Sequence, residues 1–219
     1  MAPGPSDRRG DELVDLCEPV RAELEAAHQA REQALAACRR TIRACGNAIR
    51  AVHRRQFEVA GRLTDEARSA LAEAQLALGP HPRVAHAGFL HDAEKEYAEA
   101  LLTAALVQGG PLPGPAEAGV GVPAWLCGLA EAASELRRHL LDRIREGDME
   151  RGEQLLDAME DVYDLLVTID YPEAVTGGLR RATDSLRAVL ERSRSDVTTT
   201  VLQSRLREAL ETRWPAPGP

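Results

Sequence analysis

Two pairs of glutamates stand at spacings that could hold a divalent metal ion. Glu96 and Glu99 are three residues apart and Glu131 and Glu135 are four apart, in segments whose apolar residues repeat with a helical period. Side chains at these spacings lie on neighbouring turns of one helix face. Mg²⁺ and Mn²⁺ prefer carboxylate oxygens, so two such helices side by side could hold a cation that activates water for attack on a phosphate. Both pairs also lie opposite an apolar stripe, where acids commonly form a solvated face with salt-bridge partners such as Arg138.

Other polar residues carry weaker signals. Glu94 falls near the apolar stripe of its own helix, so it needs an arginine partner or a shifted pKa if it is buried. His139 follows Glu135 by four residues and is predicted to lie on a helix surface. A later acidic group is predicted to form a solvated face; it consists of Asp157, Glu160, Asp161 and Asp164.

An arginine stripe is the second functional candidate, and it consists of Arg39, Arg43, Arg50 and Arg54. These residues follow one another at spacings of four, seven and four beside an apolar helical seam. Like charges four residues apart repel by roughly 0.2–0.5 kcal/mol per pair, so the stripe is better tolerated when an anion or an acidic neighbour faces it. Arginine binds phosphates without regard to base sequence. The stripe therefore indicates either phosphate binding or a set of intramolecular ion pairs.

The composition limits how nucleic acid could be bound. The chain of 219 residues has a formal net charge of −8, so a nucleic-acid surface requires basic residues gathered on one face. Aromatic residues make up only 3% of the chain, which argues against sequence-specific reading by base stacking. No Cys-x-x-Cys pair occurs, and Cys38 and Cys45 are predicted to lie in the core. We expect a cytoplasmic protein without a membrane partner, because no segment resembles a membrane span or a signal peptide.

The elements that must position these residues are helices. Alanine and leucine dominate the apolar residues, and no segment alternates with the period of a strand. Residues 12–78 carry an almost unbroken helical pattern, and Gly/Pro-rich or capping signals separate further helices at about 83–107, 124–145, 149–169, 173–192 and 195–212. The predicted fold is all-α, a multi-helix bundle of about six to seven helices with one very long member. We expect a disordered tail over 1–10, a single helical domain over 11–213 and a Pro-rich tail over 214–219.

An ordered set of motifs resembles the translin family. Glu96-Tyr97-Ala98-Glu99-Ala100 resembles the acidic helix of TRAX (translin-associated factor X) proteins, in which Glu-Tyr-x-Glu-Ala recurs. Trp125-Leu126-Cys127-Gly128-Leu129-Ala130-Glu131 resembles the Tyr-Leu-x-Gly helix of translin and TRAX. Later landmarks follow in the family's order: Gly147-Asp148, Val162-Tyr163-Asp164, and the stretch from Tyr171 to Asp196. The chain is identified by this resemblance as a prokaryotic TRAX-like member.

The resemblance implies a fold, an assembly and an activity. Family members form a seven-helix-like bundle that assembles into a hollow octamer and binds single-stranded RNA or DNA inside the shell. TRAX-type subunits are Mg²⁺-dependent endoribonucleases, whereas translin-type subunits mostly bind and scaffold. Glu96, Glu99 and Glu131 match the catalytic acids, the third of which is Asp in TRAX proteins, and Glu135 matches an acid of both branches. The arginine stripe resembles the family's basic interior surface.

The sequence therefore predicts an endoribonuclease that depends on Mg²⁺, with Mn²⁺ as an alternative metal, and cuts single-stranded RNA inside a homo-octamer. Glu96, Glu99 and Glu131 are expected to bind the metal, with Glu135 as a further ligand or orienting group. A metal-activated water attacks the phosphodiester, and the arginine stripe holds the strand.

Two alternatives stay open. One is a translin-like shell that holds single-stranded RNA or DNA without cutting it. The other is an all-α nucleotide pyrophosphohydrolase acting on free nucleoside triphosphates, since those enzymes also combine Glu-x-x-Glu on one helix with acids on another.

Overall fold

The structure, a computed structural model, describes residues 5–85 and 88–213, and the side chains from residue 9 onward. Within these ranges all regular secondary structure is helical, and six of the nine helices are long. The helices are α1 (Pro5–His53), α2 (Phe57–Leu78), α3 (Pro82–Ala85), α4 (Phe89–Gln108), α5 (Pro115–Ala118), α6 (Val122–Arg145), α7 (Met149–Val167), α8 (Glu173–Thr176) and α9 (Leu179–Arg213). The predicted all-α bundle with one very long member is confirmed.

The ends of the chain differ in part from the predicted tails. Residues 5–10, expected in a disordered tail, belong to the first turns of α1. Proline is compatible with the first turn of a helix, and a single glycine weakens a long helix without ending it. The rest of the N-terminal tail, residues 1–4, and the C-terminal tail, residues 214–219, lie outside the described residues.

The helix predicted over residues 12–78 is two helices joined by a tight turn. α1 ends at His53, and Arg55 adopts a left-handed conformation with φ 59°. The amide of Gln56 donates to the carbonyl of Ala51 (2.9 Å) and the amide of Arg55 to that of Val52 (2.8 Å), which closes the end of α1. No glycine or proline marks this turn. The helical pattern of apolar residues continues through it, which is why one helix was predicted.

α1 and α2 then pack against each other as an antiparallel pair. Small residues from both helices line the core between them, and they are Ala34, Ala37, Ala44, Ala48, Ala67 and Ala74. Cys38 and Cys45 lie in the same core with 2% and 0% of their surface exposed, as predicted. Burial, and after it the charges of Glu96 and Glu99, raise the pKa of the Cys45 thiol to about 12, so this thiol stays protonated.

α4 lies at the centre of the bundle. It packs against α1, α2 and α6, and residues 97–100, 102 and 103 are all buried. These positions point around the whole circumference of the helix, so α4 has no broad solvated face. α6 continues the layer by packing against α4, α7 and α9.

α9 is continuous where two helices were predicted. Ser193 lies in the middle of α9 and is fully buried, and its hydroxyl donates to the carbonyl of Val189 (2.8 Å). Arg137 of α6 donates to Ser193 Oγ (3.1 Å) and to Asp196 Oδ2 (2.8 Å). Polar residues near the predicted helix boundary therefore join α9 to α6.

Both long terminal helices extend beyond the bundle with apolar side chains exposed. On α1 these are Leu13, Leu16, Val20 and Leu24, and on α9 they are Leu202, Leu206 and Leu210. None of the described helices is long and apolar enough to cross a membrane.

Candidate metal centre

Three carboxylates from two helices converge between α4 and α6. One oxygen each of Glu96, Glu99 and Glu131 lie within 4.8 Å of one another. Glu99 is 9% exposed, while Glu96 and Glu131 are half-buried. The solvated-face interpretation fails for these acids, because α4 is enclosed by its neighbours and turns its acidic side toward α6.

Gly128 lets α6 approach α4 at this point. A Cβ at position 128 would lie 2.7 Å from Ala98 Cβ, 2.8 Å from the carbonyl oxygen of Lys95 and 2.9 Å from the amide nitrogen of Glu99. Two of these atoms belong to the backbone of α4 and cannot rotate away. The absence of a side chain at Gly128 is therefore what allows Glu131, one turn further along α6, to meet the acids of α4.

Lys95 neutralises part of the cluster. Its Nζ donates to both oxygens of Glu131 (2.7 and 2.5 Å) and lies 3.4 Å from Glu96 Oε1. Burial lowers the pKa of Lys95, but the hydrogen bond and charge of Glu131 and the charge of Glu96 outweigh burial and raise the pKa above its ordinary value. Sequence reasoning missed this residue, although it is the only lysine of the chain. A compact ammonium fits between carboxylates where a planar guanidinium would need more room.

The buried Glu99 holds its proton more tightly than an ordinary glutamate. Burial, and after it the neighbouring charges of Glu131, Glu96 and Glu135, raise its pKa to about 8 against the opposing effect of Lys95. A divalent cation would reverse this effect, because opposite charge favours the ionised form. Three carboxylates from two helices suit a hard divalent cation, which takes oxygen ligands. The cation would also offset the cost of ionising the buried Glu99.

Glu135 stands beside the three acids and contacts a pair of histidines. Its Oε2 lies 2.7 Å from His53 Nε2, and His53 Nδ1 lies 3.1 Å from His139 Nε2. The prediction that His139 lies on a helix surface is wrong, since it is 7% exposed. Burial and the neighbouring His53 lower the pKa of His139 to about 4, so it is neutral near pH 7. The spacing of four residues between Glu135 and His139 was a sequence signal that the two could be neighbours. No sequence signal indicated that His53 would join them.

The arginine stripe stays apart from the carboxylates. Arg39, Arg43 and Arg50 are exposed on α1, and Arg54 is exposed in the turn that follows it. Arg50 donates to Asn47 Oδ1 (2.5 Å). Among the described residues, none of the four forms an ion pair. The part of the chain that the structure describes therefore does not supply the intramolecular ion pairs that were the alternative interpretation of the stripe.

The remaining acidic candidates are accounted for by other contacts. Glu94 accepts from the side-chain amide of Gln75 (2.8 Å) and the backbone of Gly121 (3.2 Å), so its partners are not arginines. Asp157, Asp161 and Asp164 are exposed, and Glu160 pairs with Arg194 (2.7 Å), as expected of a solvated face. The described part of this face holds no cluster of metal-ligating groups.

Comparisons with known proteins relate this architecture to others. The chain is 28% identical over 184 residues to the uncharacterized protein MJ0175 of Methanocaldococcus jannaschii, covering 83% of this chain and 81% of that protein. Its fold is similar to the crystal structure of AfC3PO, with a TM-score of 0.77 and 29% identity over 85% of this chain and 97% of that one.

AfC3PO has also been solved in a complex with duplex RNA, and that structure matches with a TM-score of 0.75 and 29% identity over 85% of this chain and 96% of the other. The structure of apo-NeC3PO shares the fold at 17% identity, with a TM-score of 0.75 over 84% of this chain and 96% of that one. No protein-family model matches the chain.

The fold and the site together define an all-helical protein with a carboxylate cluster between two central helices. These similarities support the resemblance to the translin and TRAX family that the sequence motifs indicate.

Proposed function

We propose that the chain is a divalent-metal-dependent endoribonuclease that cuts single-stranded RNA inside a hollow homo-oligomer. The observation that carries the proposal is the convergence of Glu96, Glu99 and Glu131 within 4.8 Å, at a point enclosed by two packed helices. The similarity to AfC3PO, which has been solved with duplex RNA, supports RNA as the partner.

Each residue of the centre has a distinct role in this proposal. Glu96, Glu99 and Glu131 would hold Mg²⁺, or Mn²⁺ in its place. When bound, the cation supplies water activation and stabilises negative charge on the phosphate. Glu135 is oriented by His53 and acts as a further ligand or an orienting group. Lys95 keeps a positive charge beside the acids, which lessens repulsion of an approaching phosphate.

The arginine stripe supports strand binding because its guanidinium groups are exposed and free of ion pairs among the described residues. Such groups contact phosphates through charge and leave the bases unread.

Self-association into a homo-octamer is supported by the apolar residues on the projecting ends of α1 and α9. Leu13, Leu16 and Leu24 are 57%, 61% and 66% exposed, and exposed apolar groups aligned on one helix commonly mark a protein interface. Assembly would turn such surfaces inward and enclose the strand.

A translin-like shell that binds RNA without cutting it is the second candidate. The observation that favours it is the pairing of Lys95 with Glu131, because this ammonium already satisfies part of the acidic cluster without a metal.

The two candidates differ in whether labelled RNA is cut. Purified protein is incubated with end-labelled single-stranded and duplex RNA, in Mg²⁺ or in EDTA, and Glu131→Gln is compared with Glu160→Gln, which removes an acid of the solvated face. We expect internal cuts in single-stranded RNA that require Mg²⁺, persist in Glu160→Gln and fall at least about a hundredfold in Glu131→Gln.

Other outcomes would overturn the nuclease proposal. Intact RNA that remains bound to the protein would identify a binding shell. Hydrolysis of free nucleoside triphosphates without cleavage of RNA would identify a pyrophosphohydrolase, and preferential cutting of the duplex would overturn the single-strand preference.

A further inference from the structure

A small basic cavity lies where the α1–α2 turn, α6 and α7 meet. Its volume is about 160 Å³, and three arginines from these three elements line it together with His139. They are Arg55, Arg143 and Arg151. Convergence of guanidinium groups from separate parts of the chain is the arrangement that binds phosphate oxygens, since each group offers a planar fork of donors.

The arginines of this cavity exceed the acids that pair with them. Arg55 Nη2 donates to both oxygens of Glu146 (2.8 and 3.1 Å), and Arg143 lies near the same carboxylate and 3.8 Å from Asp148. Arg151 donates to Gln154 Oε1 (2.9 Å) and the carbonyl of Val107 (2.9 Å), which carry no charge. Three guanidinium groups therefore face two carboxylates.

Arg143 shares its main charged partner with Arg55. Its Nη2 is buried and lies 2.7 Å from Glu146 Oε2, and Arg55 Nη2 lies 2.8 Å from Oε1 of the same carboxylate. Each guanidinium group carries several N–H donors, so a phosphate in the cavity could accept from both arginines.

The backbone of Arg55 supplies an independent observation. Arg55 has φ 59°, and among the described residues it is the only non-glycine in this left-handed region. The position after a helix end in this conformation usually belongs to glycine, because a Cβ there is unfavourable. Residues held in such conformations cluster at ligand-binding sites. Here the strain places a guanidinium group at the cavity.

A row of side chains that winds gradually around α6 leads from the carboxylate centre to this cavity. The row has one residue at every fourth position, with two acids at one end and an arginine at the other. Its members are Glu131, Glu135, His139 and Arg143. Each interval advances about 6 Å along the helix. The hydrogen-bonded chain from Glu135 through His53 to His139 joins the two sites.

We propose that Arg55, Arg143 and Arg151 form a phosphate subsite that holds a phosphodiester of the RNA strand while a nearby phosphate of the same strand lies at the carboxylate centre. The RNA ligand rests on the proposed function. The cavity takes a single phosphate group, and an incoming phosphate replaces Glu146 as the partner of Arg55 and Arg143.

The variant Arg55→Gly tests whether Arg55 binds phosphate or only stabilises the fold. Glycine relieves the left-handed strain, so the melting temperature should be unchanged or raised, while the phosphate contact is lost. The test is made in a Glu131→Gln background, in which RNA is bound without being cut, by fluorescence anisotropy of a labelled single-stranded RNA over a range of salt concentrations.

We expect Arg55→Gly to weaken RNA binding about tenfold and to reduce the salt slope of binding by about 0.7. Arg151→Gln should do the same, whereas Arg187→Gln, which removes an exposed arginine of α9 that pairs with Glu191, should not. Unchanged affinity and slope in both cavity variants would overturn the subsite.

Thermal melting in inorganic phosphate, compared with RNA affinity, distinguishes the two sources of a phosphate group. If millimolar phosphate raises the melting temperature of the wild type but not of Arg55→Gly, while RNA affinity is equal in both, the cavity binds free phosphate and the RNA-strand proposal is overturned. Failure of the nuclease proposal has a different signature, because the wild type would then leave RNA uncut even where Arg55→Gly weakens binding.

Discussion

The carboxylate centre and the arginine stripe are both groups of like charge, but they lie in opposite environments. Glu99 is buried between α4 and α6, and its neighbours crowd it with further negative charge. Arg39 and Arg43 lie exposed on α1, where water screens their repulsion. Of these two groups, packing brings like charges together only in the carboxylate centre. Repulsion between the carboxylates therefore destabilises the metal-free protein, whereas repulsion between the exposed arginines has little effect.

This contrast indicates that the carboxylate centre is suited to fixing the geometry of a reaction and the arginine stripe to providing affinity for a strand. A buried cluster has its distances set by the backbones of two helices, as catalysis requires. Exposed arginines can follow a strand of variable shape, since each contact is weak and independent of sequence. Three experiments could break or sharpen the comparison.

The largest effect is expected from the proton on Glu99. Burial and the neighbouring carboxylates raise the pKa of Glu99 from 4.5 to about 8, so the metal-free folded protein binds a proton there that the unfolded chain releases near pH 4.5. This stability is fully present below pH 4.5 and is lost as the pH rises through about 8. We expect the unfolding free energy in EDTA to fall by a few kcal/mol over that window, since one pKa unit corresponds to about 1.4 kcal/mol.

Urea denaturation at a series of pH values measures this loss. The dependence should be smaller in Glu99→Gln, which cannot ionise, and smaller in the wild type with Mn²⁺, which favours the ionised carboxylate. Equal pH dependence in the wild type and Glu99→Gln would show that Glu99 is not held protonated by its surroundings.

The next effect concerns the close approach of α4 and α6. Gly128→Ala places a Cβ within 3 Å of backbone atoms of α4, so the helices must separate. We expect a loss of about 1–3 kcal/mol in unfolding free energy and weaker binding of Mn²⁺ by calorimetry.

Gly61→Ala is the matched control. A Cβ there meets nothing within 4 Å, and alanine is the better helix former by about 1 kcal/mol, so this variant should gain stability. If Gly128→Ala were as stable as Gly61→Ala and bound metal normally, the close approach of α4 and α6 would not define the centre.

The smallest effect is expected from single arginines of the stripe. Arg43→Gln should weaken binding of single-stranded RNA only a few-fold, with a decrease of about 0.7 in the salt slope if it contacts one phosphate. Arg62→Gln removes the same charge from an exposed position of α2 and should leave the slope unchanged. Equal effects of the two variants would show that the stripe acts only through the net charge of the protein and not through contacts with phosphates.

The helices and the acids could be predicted from sequence because both depend on local pattern. Asp148 lies between the helices predicted over 124–145 and 149–169, and it accepts from the amide of Arg151 at the start of α7. The turn at Arg55 could not be predicted, since a non-glycine residue in a left-handed conformation leaves no mark in the sequence. The break expected near Ser193 was wrong because a tertiary contact with Arg137 uses the polar side chains.

Within the site, spacing identified the acids but misjudged their surroundings. A helical period shows which residues share a face, but it does not show whether a neighbouring helix covers that face. The burial of Glu99, the contact of Lys95 with Glu131 and the pair formed by His53 and His139 are all contacts between distant segments. Such contacts exist only once the bundle has packed.

The central claim, that the three acids hold a divalent cation, is tested most directly by anomalous diffraction from crystals grown with Mn²⁺. The account predicts an anomalous peak bounded by the carboxylates of Glu96, Glu99 and Glu131, with Lys95 Nζ moved away from Glu131, and loss of that peak in Glu131→Gln. No peak at millimolar Mn²⁺, with Lys95 still bonded to both oxygens of Glu131, would contradict it.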